Sequence, residues 1–299
     1  MKEEPVDCTI VGIDIGGSHI TAAIVDLANR RVLPESMVRK HINSAGEAEE
    51  ILNGWIDVIA AVRNSIPSQP IKVGIAMPGP FDYENGICYI RNMNKYESLY
   101  GLNIRDALAK KLGIDGTDIM FRNDAESYLA GEVLGGTVQG QRKILGLTFG
   151  TGLGSAVCDH GVTRDVNLGS SPFRDGIVED YLSTRWFVKA YASLSGLHIA
   201  NVKELTQRIG SNRSAMLVMK AFACNLTDFL VDFSKREEPD VVVLGGNISK
   251  AHRLFLLEVE RLLQEKAIKV TIEMAKLGEA AALLGATACW QKQSELTFR

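Results

Sequence analysis

Both halves of the chain carry the same order of sequence features, and this internal repeat limits the possible folds more than any single motif does. In the first half, a β-rich segment at residues 8–15 ends at a Gly-Gly pair, and a second apolar segment follows. In the second half, residues 143–149 lead into a glycine-rich turn and another strand-like segment. Each half then continues to a helix and a short apolar strand that ends in glycine. Such a repeat predicts two similar α/β domains whose glycine turns face a shared cleft.

The spacing of apolar residues predicts the elements around these turns. Residues 47–64 form a predicted helix because Ile51, Trp55, Val58 and Val62 recur at three- and four-residue spacing. The other predicted helices are residues 103–112, 125–134 and 214–235, and the other predicted strands are residues 20–27, 31–40, 71–76, 118–121, 155–159 and 240–244.

Composition and charge exclude several classes of protein. Among the 299 residues, 33 Lys and Arg nearly balance 36 Asp and Glu without a basic run, so nucleic acid is not expected as a partner. The acidic start fits neither a signal nor a transit peptide, and no uncharged apolar run approaches the ~18 residues of a membrane span. Five widely separated cysteines fit no disulfide framework. These features predict a cytoplasmic protein with no membrane partner.

The first glycine turn lies in the sequence DIGGSHI, residues 14–20. Glycine lets backbone N–H groups approach an anion, while Ser18 adds a hydroxyl and His19 a possible donor. Asp14 beside the turn is suited to hold a hydrated Mg²⁺ near nucleotide phosphates. The alternative is a plain β-hairpin, and the turn by itself supports both interpretations equally.

The second glycine turn, FGTGLGS at residues 149–155, is not a dinucleotide-binding fingerprint. Its spacing is GxGxG and a strand-like segment follows it, whereas that fingerprint requires a later third glycine and a helix. The chain contains no Gly-Lys dipeptide, which excludes a Walker A loop, and no HExxH or GxSxG motif. With these motifs excluded, the remaining interpretation is that the two turns are glycine hairpins that face each other across a cleft.

A carboxylate lies between the two turns, in RNDAES at residues 122–127. The predicted strand-to-helix junction places it at the carboxyl end of a strand, where open α/β sheets bind ligands. Asp124 is therefore suited to take a proton from a hydroxyl that attacks a phosphoryl group. Aspartate is also a preferred helix N-cap, and without the glycine turns capping would be the better interpretation.

Six motifs in order resemble those of the ROK family of sugar kinases, within the actin and hexokinase superfamily of ATPases. They are residues 14–20, 74–80 (GIAMPGP), 122–127, 149–155, 241–249 (VVVLGGNIS) and 277–286 (LGEAAALLGA). The resemblance implies an α/β fold of two similar lobes with ribonuclease H-like, actin-like ATPase topology around a central nucleotide cleft. The N-terminal lobe would hold residues 1–122 and a C-terminal helix at 286–299, and the larger C-terminal lobe residues 123–285.

The resemblance also implies a function. It is the transfer of the γ-phosphoryl group of ATP, with Mg²⁺, to a hydroxyl of a hexose or of an N-acetyl or amino hexose by a homodimer. Asp124 would be the general base, and Asp14 would hold Mg²⁺ through water. The implied sugar contacts are Gly79, Asn94, Asn123, Asp124 and Glu179. The implied nucleotide contacts are Gly16, Gly17, Ser18, His19, Thr151, Gly152 and Gly154 at the phosphates, with Gly245, Gly246 and Asn247 beside the adenosine.

The segment at residues 161–183 departs from the family pattern. The zinc-binding cysteines of the family are missing, so no zinc site is expected, and the Glu and His that usually hold the sugar have no match near residues 167–173. Glu179 falls where the family has the glutamate of a Leu-Glu pair. The departure predicts a different or less demanding choice of sugar, because a lost polar partner no longer rejects analogues.

Two alternatives follow from these comparisons of motifs. A non-catalytic sugar sensor of the same family would explain the missing Glu and His, but a sensor has no need of Asp124. A chaperone-like or actin-like ATPase is disfavoured because no peptide-binding or filament-forming insertion is visible. The DNA-binding module of the family's repressors is not expected, since the first glycine turn begins at Asp14.

Overall fold

The computed structural model describes residues 8–64 and 70–291, which divide into two compact units. The first unit holds the chain up to Gln139 and again from Glu279, and the second unit is Gly140–Gly278. Both boundaries differ from the expected ones, after residue 122 and at residue 286. They move because the helix that begins at Asp124 packs against the helix that begins at Glu279. Residues 292–299 of the expected C-terminal helix lie outside the described residues.

The elements are numbered in chain order. The strands are β1 (Thr9–Ile15), β2 (His19–Asp26), β3 (Arg31–Val32), β4 (Val38–His41), β5 (Ile71–Met77), β6 (Phe81–Asp82), β7 (Ile87–Cys88), β8 (Ile119–Asn123), β9 (Lys143–Phe149), β10 (Leu153–Asp159), β11 (Val162–Asp165), β12 (Pro172–Phe173), β13 (Gly176–Ile177), β14 (Val241–Gly245) and β15 (Thr271–Met274). The helices are α1 (Ala48–Arg63), α2 (Ile104–Leu112), α3 (Asp124–Gly135), α4 (Thr184–Ser195), α5 (Val202–Arg208), α6 (Arg213–Glu237), α7 (Gly246–Ser249), α8 (Leu256–Glu265) and α9 (Glu279–Ala286).

The main sheets of the two units have the same strand order. The first unit has the order β3-β2-β1-β5-β8, with β4 also paired to β2, and the second has β11-β10-β9-β14-β15. In each sheet the first three strands are antiparallel, and the last two join in parallel. When only these five strands of each sheet are numbered in chain order, both sheets have the order 3-2-1-4-5. This confirms the internal repeat and the predicted α/β fold class of two similar lobes.

The predicted elements are present, with one difference in the first sheet. The segment at residues 31–40 forms two short strands, β3 and β4, instead of one. A 3₁₀ turn, Pro34–Ser36, separates them, because proline cannot donate a hydrogen bond to a strand ladder. The predicted helix at residues 47–64 is α1, and its apolar face, including Trp55, is buried against the sheet.

Helix α9 packs between the first sheet and α3 with almost no separation. A Cβ atom added at Gly285 would overlap a backbone oxygen of α3, and one added at Gly131 would overlap a backbone oxygen of α9. On the sheet side, a Cβ atom at Gly12 or Gly74 would overlap carbonyl oxygens of α9. The last sequence motif, residues 277–286, is therefore a packing element of the first unit.

We expect Gly285→Ala to lower the free energy of unfolding by about 1–3 kcal/mol, because overpacking in a filled core costs that much. The higher helix propensity of alanine, worth about 1 kcal/mol, offsets only part of this cost. Urea unfolding would measure the change. Gly54→Ala is the matched control, since Gly54 also lies inside a helix but has its nearest neighbouring atom 3.8 Å from the added Cβ. Equal stability of the two variants would contradict the close packing.

Helix α6 runs through the core of the second unit. Within the described residues, it is the one helix that is long and apolar enough to cross a membrane. Its most apolar stretch is 61% buried inside the protein, where Phe222, Leu226 and Leu230 belong to the main apolar cluster. A core helix has the same composition, so α6 is weak evidence for a membrane span.

Candidate active site

The first glycine turn is the hairpin between β1 and β2, and it presents two backbone amides outward. The N–H of Gly16 donates to the carbonyl oxygen of His19 at 2.9 Å and closes the turn. In the part of the chain that the structure describes, the N–H groups of Gly17 and Ser18 have no acceptor, and both residues are exposed. Successive unpaired amides of this kind form an anion-binding site. The turn is thus a hairpin that is also suited to bind a phosphate.

Two side chains hold this hairpin by its carbonyl oxygens. The hydroxyl of Tyr96 donates to the oxygen of Gly16, and the hydroxyl of Ser44 donates to the oxygen of Gly17 at 2.6 Å. In a planar trans peptide the C=O and the following N–H point in opposite directions. The amides of Gly17 and Ser18 are therefore directed away from these two donors, toward solvent.

The ionisation of Tyr96 supports its role as a donor. Burial raises the pKa of Tyr96, and the carboxylate of Asp14 and the thiol of Cys88 raise it further. The hydroxyl therefore stays protonated and keeps its hydrogen bond to the hairpin. Tyr96 and Ser44 were not among the predicted site residues, since each is far from the hairpin along the chain.

Asp14 lies at the end of β1, in a group of acidic residues. Burial raises the pKa of Asp14 to about 7, the carboxylates of Asp124 and Glu279 raise it further, and the guanidinium of Arg39 lowers it. Excess negative charge of this kind favours a bound cation, so the residues fit the predicted Mg²⁺ role of Asp14. Within the described residues, no three His, Cys, Asp or Glu side chains are grouped as a metal site. A Mg²⁺ ion there would take its other ligands from water and phosphate.

Asp124 is the first residue of α3, but it is not the N-cap. The cap is Asn123, whose Oδ1 accepts a hydrogen bond from the N–H of Glu126 at 3.1 Å. Asp124 is exposed, and its Oδ1 accepts from the N–H of Ala125 at 2.9 Å. The capping interpretation therefore applies to Asn123 and does not account for the carboxylate at position 124.

Asn123 and Gly79 both lie next to the hydroxyl of Tyr83, a residue that was not among the predicted site residues. Nδ2 of Asn123 donates to the Tyr83 hydroxyl at 3.2 Å, and that hydroxyl donates to the carbonyl oxygen of Met77 at 3.1 Å. The same hydroxyl lies 3.2 Å from the position of a Cβ atom on Gly79. Asn123 is only 7% exposed, so at most one N–H of its carboxamide remains for a ligand. Asn94, the other predicted sugar contact of this unit, lies in an exposed loop.

The second glycine turn, between β9 and β10, is also a hairpin, but its loop is residues 150–152, one residue shorter than residues 16–19 of the first. The N–H of Gly150 donates to the carbonyl oxygen of Gly152 at 2.9 Å. For Thr151 and Gly152, no acceptor of the backbone N–H exists in the described residues. Gly154 lies inside β10, opposite Thr148 of β9. Each unit therefore carries one glycine hairpin with two backbone amides that have no acceptor in the described residues.

Glu179, a predicted sugar contact, lies directly beneath the second turn. Its Oε2 accepts from the N–H of Leu153 at 2.8 Å, and its Oε1 forms an ion pair with Arg185. A Cβ atom on Gly152 would overlap this carboxylate. Both carboxylate oxygens are thus bonded within the second unit, and Glu179 supports the shape of the turn.

The glycines predicted to border the adenosine lie beside the second turn. Gly245, at the end of β14, pairs with Thr148 of β9. Gly246 has a φ of 82°, and a Cβ atom there would overlap the backbone of Phe149. Only glycine allows this close approach. Asn247 is exposed, and its Oδ1 accepts from Nζ of Lys250 at 2.9 Å.

The segment at residues 161–183, from which the zinc-binding cysteines of the family are missing, is held by Arg174. Its guanidinium donates to Asn225 at 2.7 Å and to Asp228 at 2.8 Å on α6. The same group lies over the rings of Phe173 and Tyr181, at 5.2 and 5.1 Å. These contacts fix the β12–β13 hairpin that leads to Glu179.

The comparisons with known proteins agree with this architecture. A glucokinase of Thermotoga maritima is 25% identical over 272 residues, which cover 81% of this chain and 83% of that protein. An N-acetyl-D-glucosamine kinase of Photobacterium profundum is 24% identical over 305 residues, which cover 92% and 97%. The structure of a ROK family glucokinase from Streptomyces griseus, in complex with glucose and AMPPNP, matches with a TM-score of 0.74 at 21% identity over 93% of this chain and 97% of that one.

The family model agrees with the order of the six motifs. It matches residues 10–165 and 160–293, a span that includes both glycine hairpins, the start of α3 and the packing helix α9. The chain therefore belongs to the ROK family.

Proposed function

We propose that the protein is an ATP-dependent carbohydrate kinase that acts on a hexose or on an N-acetyl or amino hexose. The observation that carries the proposal is the pair of glycine hairpins, each with two amides that have no acceptor in the described residues, together with the exposed Asp124 at the start of α3. Two relatives named glucokinase and N-acetyl-D-glucosamine kinase support this class of acceptor. The ATP analogue in the Streptomyces griseus enzyme supports ATP as the donor.

In the proposed reaction, Asp124 accepts the proton of the sugar hydroxyl. The hydroxyl oxygen forms a bond to the γ-phosphorus, the bond from that phosphorus to the oxygen of ADP breaks, and the proton passes to the Asp124 carboxylate. Asn123 and Tyr83 fix the backbone at the start of α3, so the direction of the carboxylate is set before the sugar binds. Gly79, Asn94 and Glu179 remain proposed sugar contacts.

The hairpins hold the phosphates in this proposal. The amides of Gly17, Ser18, Thr151 and Gly152 donate to phosphate oxygens without the reorganisation that flexible side chains would need. Asp14 would hold Mg²⁺ through water, and the ion would neutralise charge on the phosphates. The other proposed nucleotide contacts are Gly16, His19, Gly154, Gly245, Gly246 and Asn247.

The proposal is tested by ADP release with ATP, Mg²⁺ and a panel of sugars: glucose, mannose, fructose, allose and their N-acetyl and amino derivatives. We expect at least one sugar to raise ADP release well above the rate without sugar, and chelation of Mg²⁺ to abolish the increase. Sugar binding detected by calorimetry, with no ADP release for any sugar, would instead identify a non-catalytic sensor.

A further inference from the structure

The first hairpin has amides for an anion but no permanent positive charge of its own. Residues 14–20 contain no Lys or Arg. Nδ1 of His19 lies 2.9 Å from the Ser18 hydroxyl, and its ring packs edge-on against His41 at 5.2 Å. Asp14 of the hairpin is itself acidic, and the carboxylates of Asp124 and Glu279 lie close enough to act on it. A polyphosphate at this hairpin therefore needs a cation from another part of the chain.

Arg39, a cation close to Asp14, is already paired. Its guanidinium forms an ion pair with Glu279, and it also lies close enough to Asp14 to lower the pKa of that carboxyl. Arg39 thus brings one positive charge to a group of three carboxylates, Asp14, Asp124 and Glu279. Arg39 compensates the acidic group and leaves little net charge for a phosphate.

A second loop brings a different cation to the hairpin. The loop at residues 91–100 is fixed there because the Tyr96 hydroxyl donates to Gly16 and the Tyr96 N–H donates to the oxygen of Ser44. The Tyr96 ring is fully buried and packs against Trp55 with centroids 5.5 Å apart. The position of the preceding residue, Lys95, is therefore set by the same contacts that shape the hairpin.

The side chain of Lys95 lies beside Gly17 of the turn. Its Cδ atom is 3.8 Å from the position of a Cβ atom on Gly17, and no other atom comes within 4 Å of that position. Over the described residues, the Lys95 ammonium group has no carboxylate partner within 4.0 Å. By contrast, Lys40 on the neighbouring strand β4 is paired with Asp57 at 2.9 Å. Lys95 is thus a partly exposed, unpaired cation beside two unpaired amides.

We propose that Lys95 binds a phosphate of the nucleotide at the first hairpin. The ammonium group of Lys95 and the amides of Gly17 and Ser18 then form one anion-binding site, to which the loop at residues 91–100 supplies the charge. This assignment deepens the proposed function and rests on it. A lysine suits the position because its point charge on a long stem can follow a phosphate group without a fixed geometry.

The test compares Lys95→Met with Lys40→Met, which removes the same charge from a nearby exposed position of the same unit. Calorimetry would measure the binding of ATP, with Mg²⁺, and of adenosine to each variant. We expect Lys95→Met to weaken ATP binding about tenfold or more, since a hydrogen bond to a charged group contributes that much. Adenosine binding should not change, and Lys95→Arg should recover most of the loss. Thermal unfolding would verify that each variant is folded.

The outcomes separate this assignment from the kinase proposal. ATP binding by Lys95→Met within twofold of the wild type, an equal loss for adenosine, or an equal loss in Lys40→Met would overturn the role of Lys95. A rise in the sugar KM with unchanged ATP binding would assign Lys95 to the sugar and would overturn it as well. If the wild type binds ATP but phosphorylates no sugar, the kinase proposal fails while the ATP and adenosine comparison still decides the role of Lys95.

Discussion

Replacing Asp124 by asparagine is expected to lower kcat by a factor of about 10² or more, because the loss of a general base costs about that much. The free energy of unfolding should stay close to that of the wild type. The side chain is exposed at the first position of α3, and the capping hydrogen bond comes from Asn123. Asparagine keeps an oxygen that can accept from the N–H of Ala125, as Asp124 does. ADP release under saturating ATP and sugar would measure kcat, and urea unfolding the stability.

Two variants in the same turn separate catalysis from local structure. Glu126→Gln removes another acidic residue of the first turn, one that pairs with Arg122 at 3.0 Å, and its turnover should stay near that of the wild type. Asn123→Ala removes the cap and should lower the free energy of unfolding by about 0.5–2 kcal/mol. Wild-type turnover in Asp124→Asn, or an equal loss in Glu126→Gln, would show that position 124 only contributes negative charge near the helix N-terminus.

Features that depend on neighbours in the sequence could be predicted. The apolar spacing gave α1, α6 and the strands around both glycine turns, because a helix or strand face is visible in a short window of sequence. The repeat of these features predicted two similar lobes, and the structure shows the same strand order in the main sheets of both units. The motif order pointed to the ROK family, and the family model agrees with it.

Features that depend on distant contacts could not be predicted. Tyr96 lies 80 residues from Gly16, whose carbonyl oxygen it holds, and no pattern in a short window relates the two. The unit boundary was misplaced for the same reason. Gly131 and Gly285 look like ordinary helix glycines in the sequence, and only the contact of α3 with α9 shows that they join residues 124–139 to the first unit.

Glu179 shows how a motif can give the position of a residue without its contacts. The resemblance placed it at the sugar, whereas the structure places its carboxylate against Leu153 and Arg185, under the second turn. A carboxylate has several acceptor positions, so the sugar contact stays a prediction. Its bonds to the turn come from the fold of residues 161–183, which Arg174 holds against α6.

Asp14 is expected to make the free energy of unfolding depend on pH when neither Mg²⁺ nor nucleotide is bound, and this is the second large effect. The pKa of Asp14 is raised from 3.8 to about 7 in the folded protein. Below about pH 4 the carboxyl is protonated in both the folded and the unfolded chain, so it does not affect their balance. Between pH 4 and 7 the unfolded chain loses this proton while the folded protein keeps it. The free energy of unfolding contributed by Asp14 therefore falls as the pH rises through 7.

Asp14→Asn should remove this fall. Since one pKa unit corresponds to about 1.4 kcal/mol, the variant should become more stable than the wild type by up to about 4 kcal/mol between pH 4 and 8. The same variant should lose Mg²⁺-dependent turnover, because it lacks the carboxylate that is proposed to hold the ion. Residues that give an active site its reactivity often lower the stability of the folded protein in this way. Urea unfolding at a series of pH values, in the presence of chelator, would measure the difference.

Asp82→Asn is the matched control for this measurement. Asp82 is a partly exposed residue of the first unit, and hydrogen bonds from Asn85 lower its pKa. The ionised Asp82 therefore stabilises the folded protein above its unfolded pKa, and this stabilisation is lost as the pH falls. Asp82→Asn should lower the free energy of unfolding at neutral pH, whereas Asp14→Asn should raise it. If Asp14→Asn and the wild type show the same pH dependence of unfolding, Asp14 is ionised in the folded protein at neutral pH. The acidic group formed by Asp14, Asp124 and Glu279 would then be balanced by Arg39 without a metal ion.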